Sequence, residues 1–276
     1  MGIILGIDVG GSTTKIVGIE NDKCFAKLQV RAADQVTSMY GAIGNLLSKY
    51  GRAPSDVSKI YLTGVGASFI NEQIYNIDTQ KVDEFKAIGY GALGLTGLDE
   101  AMVVSMGTGT AFVRATKNEV KHLGGSGIGG GTIVGLASQM LGKSDVDAVI
   151  ALAEKGDLGN TDLSVCDIMG EEVQSLPFDL TAANFGKIKS TVSDADIALG
   201  ILNMVFETAG MLAVLALKND SIKDVILTGT LATFPQAQSV MEKFNKLTGL
   251  RFIVPQDAVF ATALGATSAT NTTNAT

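Results

Sequence analysis

Residues 6–15 read Gly-Ile-Asp-Val-Gly-Gly-Ser-Thr-Thr-Lys and gather an acid, three hydroxyls and a lysine around a glycine turn. Glycines at a strand-to-strand turn let backbone N–H groups approach an anion with no Cβ in the way. The hydroxyls of Ser12, Thr13 and Thr14 add donors, and Lys15 adds a point charge. Asp8, at the strand end, is placed to hold Mg²⁺ directly or through water. The segment is neither a Walker A loop, which needs Gly-Lys-Ser/Thr opening a helix, nor a GxGxxG dinucleotide turn. Taken alone, it reads equally well as a plain hairpin with an exposed acid.

A second turn changes that balance. Gly107-Thr108-Gly109-Thr110 makes the same offer of amides and hydroxyls about a hundred residues later, and two such hairpins facing each other can grip the β- and γ-phosphates of a nucleotide from both sides. The run Gly124-Gly125-Ser126-Gly127-Ile128-Gly129-Gly130-Gly131-Thr132 opens a predicted helix, whose N-terminus favours an anion; the bland alternative is a flexible hinge. Leu227-Thr228-Gly229-Thr230 would lie under the adenosine. Phosphoryl transfer to an alcohol also needs a carboxylate beside the attacking hydroxyl. Asp83 and Glu84 are the candidates in the N-terminal half, although both also suit the positive end of a helix.

The elements that must position these residues follow from apolar patterning. Residues 3–8, 14–20 and 23–30 read as a three-strand meander, 37–50 as a helix, 59–63 as a strand and 85–98 as a helix. The pattern then restarts, with strands at 101–106, 111–115 and 119–123 and, much later, at 224–228. Strand, Gly/Thr turn, strand and then strand-Leu-Thr-Gly thus occur twice in the same order. Asp8 and Leu62 are 54 residues apart whereas Met106 and Leu227 are 121 apart, so the second half carries an insertion of about 67 residues. Such a duplication implies two related α/β halves facing across a cleft. The expected division is an N-terminal lobe at 1–99, a C-terminal lobe with the insertion at 100–270, and a disordered tail at 271–276.

Composition narrows the function. Glycine accounts for 33 of 276 residues, about one in eight where roughly 7% is usual, and its clusters are the turns above. A net charge of −7 argues against nucleic-acid binding. One histidine, His122, excludes multi-His metal sites and disfavours a Ser-His-Asp hydrolase. Two cysteines, Cys24 and Cys166, exclude a disulfide scaffold and suit a reducing cytoplasm. The N-terminus reaches an acid before a signal h-region can form. Residues 197–217 have membrane-like length, but Asn203 and Glu207 near their middle favour a helix buried between domains or subunits over a membrane span.

The duplicated hairpins resemble the sugar kinase–Hsp70–actin superfamily, which implies a duplicated actin-like (ribonuclease H-like) ATPase fold with two lobes around a nucleotide cleft. More narrowly, Asp8–Lys15, Asp83-Glu84-Phe85 before a Gly-rich helix, Gly124–Thr132 and above all Asp179-Leu180-Thr181-Ala182-Ala183-Asn184-Phe185-Gly186 resemble type II pantothenate kinases. The stretch from Gly156 to Leu163 is similar as well, so the resemblance runs from residue 3 to about 265. It implies Mg-ATP-dependent phosphorylation of pantothenate by a cytoplasmic homodimer, with Glu84 as general base. It assigns ATP to Asp8, Gly10, Gly11, Ser12, Thr13, Thr14, Lys15, Thr108, Gly130, Gly131, Thr132, Ile133, Val134 and Thr230. Substrate falls to Thr110, His122 and the loop Thr181, Ala182, Ala183 and Asn184, which would reach the pantothenate pocket from the neighbouring subunit. The apolar 197–217 segment falls at the family's dimer helix. One departure stands out: His122-Leu123-Gly124-Gly125 replaces the family's Arg before Val-Gly-Gly, and an imidazole cannot reproduce a bidentate guanidinium. Lys121 or Arg114 is then the candidate source of positive charge.

Two other readings compete. A kinase of another small alcohol, such as an N-acetyl-sugar, would commonly show an Asn-Asp pair and a His/Cys zinc cluster, which one His and two distant Cys cannot build. An ATPase that activates a partner through an iron–sulfur cluster would need closely paired cysteines.

Overall fold

The computed structural model describes residues 2–32, 34–169 and 180–269. In the N-terminal half, β1 (Ile3–Val9), β2 (Thr13–Glu20) and β3 (Lys23–Arg31) form an antiparallel meander. Helix α1 (Gln35–Lys49) follows, its first turn capped by Asp34, which accepts from the Thr37 N–H at 2.7 Å. Strands β4 (Val57–Thr63) and β5 (Thr79–Lys81) then add parallel to β1, giving the order β3-β2-β1-β4-β5. Helix α2 (Glu84–Thr96) ends the half.

The C-terminal half repeats this plan. Strands β6 (Glu100–Met106), β7 (Thr110–Thr116) and β8 (Val120–Ser126) form the second meander. Helices α3 (Gly130–Leu141) and α4 (Val146–Ala153) come next. The insertion holds a two-stranded ladder of β9 (Leu163–Ser164) and β10 (Thr181–Ala183), the short helix α5 (Val165–Met169), and the long α6 (Asp194–Ala216). Strand β11 (Asp224–Thr228), α7 (Pro235–Thr248), β12 (Arg251–Ile253) and α8 (Ala261–Ser268) close the chain. The second sheet runs β8-β7-β6-β11-β12, with β11 and β12 parallel to β6, strand for strand the order of the first. The expected duplicated actin-like arrangement is therefore realised. Asp179 and residues 271–276 lie outside the described residues.

Two details differ from the sequence expectation. The turns align one residue differently: Asp8 lies opposite Thr63 as Ser105, not Met106, lies opposite Thr228. The second half thus has a serine where the first has its acid. The last helices also cross over. Ile88, Ala92 and Leu93 of α2 pack with Ala101, Val103, Val113 and Ala115 of the second sheet, whereas Ala266 of α8 packs with Tyr61 of the first. At the crossing a Cβ on Gly91 would stand 1.9 Å from the Ala261 carbonyl oxygen, and one on Gly265 would stand 1.8 Å from that of Ala87. Only paired glycines allow this approach, which ties each lobe's closing helix to the other lobe's sheet.

Helix α6 is the one helix among the described residues long and apolar enough to cross a membrane, and 56% of its most apolar stretch is buried within the protein. Ile201, Leu202, Val205 and Phe206 face the second core, while Met211, Leu212 and Leu215 are exposed.

Candidate active site

Cross-strand register places the first row of site residues. Asp8 on β1 lies opposite Lys15 on β2, which lies opposite Gln29 on β3, so all three project from one face of the sheet. Asp8 is buried, and Lys15 Nζ stands 3.4 Å from its Oδ2. Burial pushes the Asp8 carboxyl above its ordinary range, an effect Lys15 only partly offsets. Beside it, the hydroxyl of Thr63 is buried with no hydrogen-bond partner among the described residues; that of Thr14 is likewise unpartnered but lies on the opposite face of the sheet, across from Val9. A desolvated carboxylate with the orphaned Thr63 hydroxyl beside it fits Mg²⁺, which takes one or two protein carboxylates and completes its shell with water and phosphate oxygens. No group of three or more His, Cys, Asp or Glu gathers among the described residues, so Asp8 would hold the ion together with the nucleotide rather than in an all-protein cage.

Local structure separates the two candidate bases. Asp83 caps α2, its Oδ1 accepting from the Lys86 N–H at 2.9 Å, and is thereby committed. Glu84 begins the helix and is half-buried. Its carboxyl is pushed up first by burial and then by the negative charge of Asp8, with Lys15 pulling it down and Asp83 adding a smaller upward push. The helix packs on the C-terminal sheet, yet Glu84 feels the charges of the N-terminal hairpin. It stands at the junction of the lobes.

The two hairpins also meet across the lobes. Ser12 Oγ lies 3.0 Å from Thr108 Oγ1. The glycine run folds against the second hairpin, and here the expectation of free amides is corrected. The N–H groups of Gly130 and Gly131 donate to the carbonyls of Gly107 and Thr108, each at 2.9 Å, because α3 starts directly behind the turn. Thr132 Oγ1 accepts from Gly129 N–H and donates to the Gly127 carbonyl, and the Ile133 side chain is in the core. Residues 130–133 thus hold the second cradle in shape; Gly131 is exposed, and Gly130, Thr132 and Val134 are partly accessible. Thr110 is similarly removed from the substrate side: it is buried, and its hydroxyl donates to the Ile128 carbonyl at 2.8 Å.

Thr230 begins the turn after Gly229, whose φ of +89° a side chain would rarely adopt. Its hydroxyl accepts from Gln29 Nε2 at 3.4 Å, a link between lobes that no local sequence signal marks. His122 stacks on Phe85, next to Glu84. Loop 181–184 is anchored on α6. Thr181 Oγ1 donates to Glu207 Oε1 at 2.7 Å, and Asn184 Nδ2 donates to Glu207 Oε2 at 3.2 Å and to Asp162 at 3.4 Å. Buried Asn203 joins the same network by donating to Asp162 at 2.9 Å. Ala182 and Ala183 are exposed. Sequence reasoning missed Gln29, Thr63, Asp162 and Asn203; the repeated Leu-Thr-Gly was the one signal pointing to Thr63.

Residues 100–246, more than half of the chain, match the family model described as Fumble. The chain belongs to the Fumble family. Over 95% of its length it is 27% identical to a protein of Staphylococcus haemolyticus named type II pantothenate kinase, covering 98% of that protein. A type II pantothenate kinase of Staphylococcus aureus is 28% identical over 95% of this chain and 97% of that one. Among solved structures, the activator of 2-hydroxyisocaproyl-CoA dehydratase from Clostridium difficile, with bound ADPNP, superposes with a TM-score of 0.68 at 16% identity, covering 99% of this chain and 98% of that one. A ROK family glucokinase from Streptomyces griseus, in complex with glucose and AMPPNP, gives 0.59 at 14% identity, covering 97% and 98%. At such identities the two structures establish the fold of this Fumble-family chain, and their chemistry stays their own.

Proposed function

We propose that this Fumble-family chain is a pantothenate kinase, transferring the γ-phosphoryl group of ATP to the primary hydroxyl of pantothenate at the first step of coenzyme A synthesis. The observation that carries the proposal is a half-buried Glu84 within electrostatic reach of Asp8 and Lys15 of the first glycine hairpin, in a chain similar over 95% of its length to proteins named type II pantothenate kinase. Asp8 would hold Mg²⁺, which supplies charge neutralisation on the phosphates. Lys15, the turn amide of Gly11, and the hydroxyls of Ser12, Thr13 and Thr108 cradle the triphosphate, while the Gly10 N–H donates to the Thr13 carbonyl at 3.0 Å and holds the turn in shape. Val134 and Thr230 lie on the nucleoside side. Glu84, made more basic by burial and by Asp8, accepts the hydroxyl proton as the oxygen attacks.

The homodimer belongs to the same proposal. The exposed Met211, Leu212 and Leu215 on α6 give a partner copy an apolar face, and the anchored loop 181–184 lies on that helix. The decisive assay is ADP release with pantothenate, pantetheine, N-acetylglucosamine or no acceptor. Release that depends on pantothenate supports the proposal. Release only with N-acetylglucosamine, or at a rate indifferent to acceptor, refutes it.

A further inference from the structure

Phe85, the residue after Glu84, lays its ring on the imidazole of His122, with centroids 3.8 Å apart and planes inclined by 12°. One helical turn further along α2, Gly89 meets β8 directly, since a Cβ there would fall 2.8 Å from both γ-carbons of Val120. Phe85 and Gly89 are four apart on one face of α2, and Val120 and His122 are two apart on one face of β8. Helix and edge strand are therefore registered at two points, and the His122 point holds the residue that follows Glu84 in the first turn of α2. A break in the ladder aims it: Phe112 pairs with Gly124 while Val113 pairs with His122, so Leu123 is an extra residue, a β-bulge. Bulges re-aim the neighbouring side chain.

Glu84 is thus carried by a helix seated on the C-terminal sheet while it must act next to Asp8 and Lys15 of the N-terminal sheet. Its placement depends on how the first turn of α2 is held. We propose that His122 is a positioning residue that fixes Glu84 through the Phe85 ring, instead of binding the acceptor's carboxylate as a cation would. The proposal rests on Glu84 being the base.

The test is steady-state kinetics on the full chain with ATP and pantothenate. His122→Gln removes the ring but keeps a hydrogen-bonding amide; His122→Phe keeps a ring on Phe85 and removes both nitrogens. Positioning requires the Gln variant to lose about 10- to 100-fold in kcat with little change in the KM for pantothenate, because a misplaced catalytic group costs turnover. It also requires the Phe variant to recover most of that loss. Phe85→Leu should reproduce the Gln defect, and combining the two should cost no more than either alone. A Gln variant with wild-type kcat, or a Phe variant impaired chiefly in KM while Gln is not, overturns the proposal. Glu84→Gln is assayed alongside: full turnover there removes the base itself, whereas an inactive Glu84→Gln with a fully active His122→Gln removes only the positioning role.

Discussion

The hydroxyl oxygens of Ser12 and Thr108, 96 residues apart in sequence, stand 3.0 Å from each other where the two glycine hairpins meet. The same seam is crossed three more times by alternate residues of β3, on the face that carries Lys15. Lys27 pairs with Asp257 at 2.5 Å, Gln29 with Thr230 at 3.4 Å and Arg31 with Asp145 at 2.6 Å. One edge strand of the N-terminal sheet thus grips the C-terminal lobe at three points, Asp145, Thr230 and Asp257.

Because Ser12 and Thr108 partner each other, removing either leaves the second without its mate. Ser12→Ala and Thr108→Ala should each weaken ATP binding by roughly 5- to 10-fold, on the order of 1 kcal/mol. The double variant should bind ATP more tightly than the product of the two losses predicts. Titration of the three variants with a fluorescent ATP analogue checks this; strict additivity would argue that the hydroxyls act independently.

Lys27 and Asp257 are about 30% exposed, so their pair contributes little to stability, and its place across the seam makes the relation of the two halves the property it should affect. Lys27→Asp should move the melting temperature by no more than a few degrees. It should raise the KM for ATP, and the swapped pair Lys27→Asp with Asp257→Lys should restore it. High salt should reduce the difference between wild type and single variant, since partly exposed charges are screened. A swap that leaves KM impaired would show that the pair does not act through its charge complementarity.

The pH dependence follows from Glu84. As the proposed base, Glu84 must be ionised to act, and its carboxyl is raised above the ordinary glutamate value by burial first and by Asp8 next. Activity should therefore fall, as pH is lowered, through a value above the ordinary glutamate range. Asp83 adds to the upward push, so Asp83→Asn, which keeps a residue able to cap α2, should move this acid limb to lower pH. A limb that moves up, or does not move, would contradict the placement of these three acids.

At the helix crossing, Gly265→Ala forces a Cβ onto the Ala87 carbonyl and should destabilise by about 1–3 kcal/mol. Gly94, inside α2 with open space around it, offers the matched contrast. Gly94→Ala should stabilise by roughly 0.5–1 kcal/mol through lost unfolded-state entropy. Urea unfolding of both variants measures the difference directly.

How much of this was legible beforehand depended on range. The hairpins at Gly10–Gly11 and Gly107–Gly109, and the restart of the pattern, are local signals of composition and spacing, and they led to the duplicated α/β arrangement, though not to the short edge strands β5 and β12. The capping role that separates Asp83 from Glu84 was also readable in principle, because an acid just before an apolar helix is the usual N-cap pattern. What escaped were relations between distant residues. Nothing local says that α2 seats itself on the other sheet, or that Gln29 reaches Thr230. Nor is it written near residue 130 that the amides of Gly130 and Gly131 are consumed by carbonyls at 107 and 108. Thr110 looked available because its partner, the Ile128 carbonyl, lies 18 residues on. The slip from Met106 to Ser105 was a register error, which short repeats cannot resolve.

The central claim is that Glu84 takes the proton from an alcohol while the two hairpins hold the triphosphate, and Glu84→Gln tests it most directly. Nucleotide affinity, measured by calorimetry with a non-hydrolysable ATP analogue, should remain close to wild type. Turnover with pantothenate should drop by roughly 10²–10⁴-fold. A variant that phosphorylates pantothenate at the full rate, or one that loses nucleotide binding together with turnover, contradicts the account.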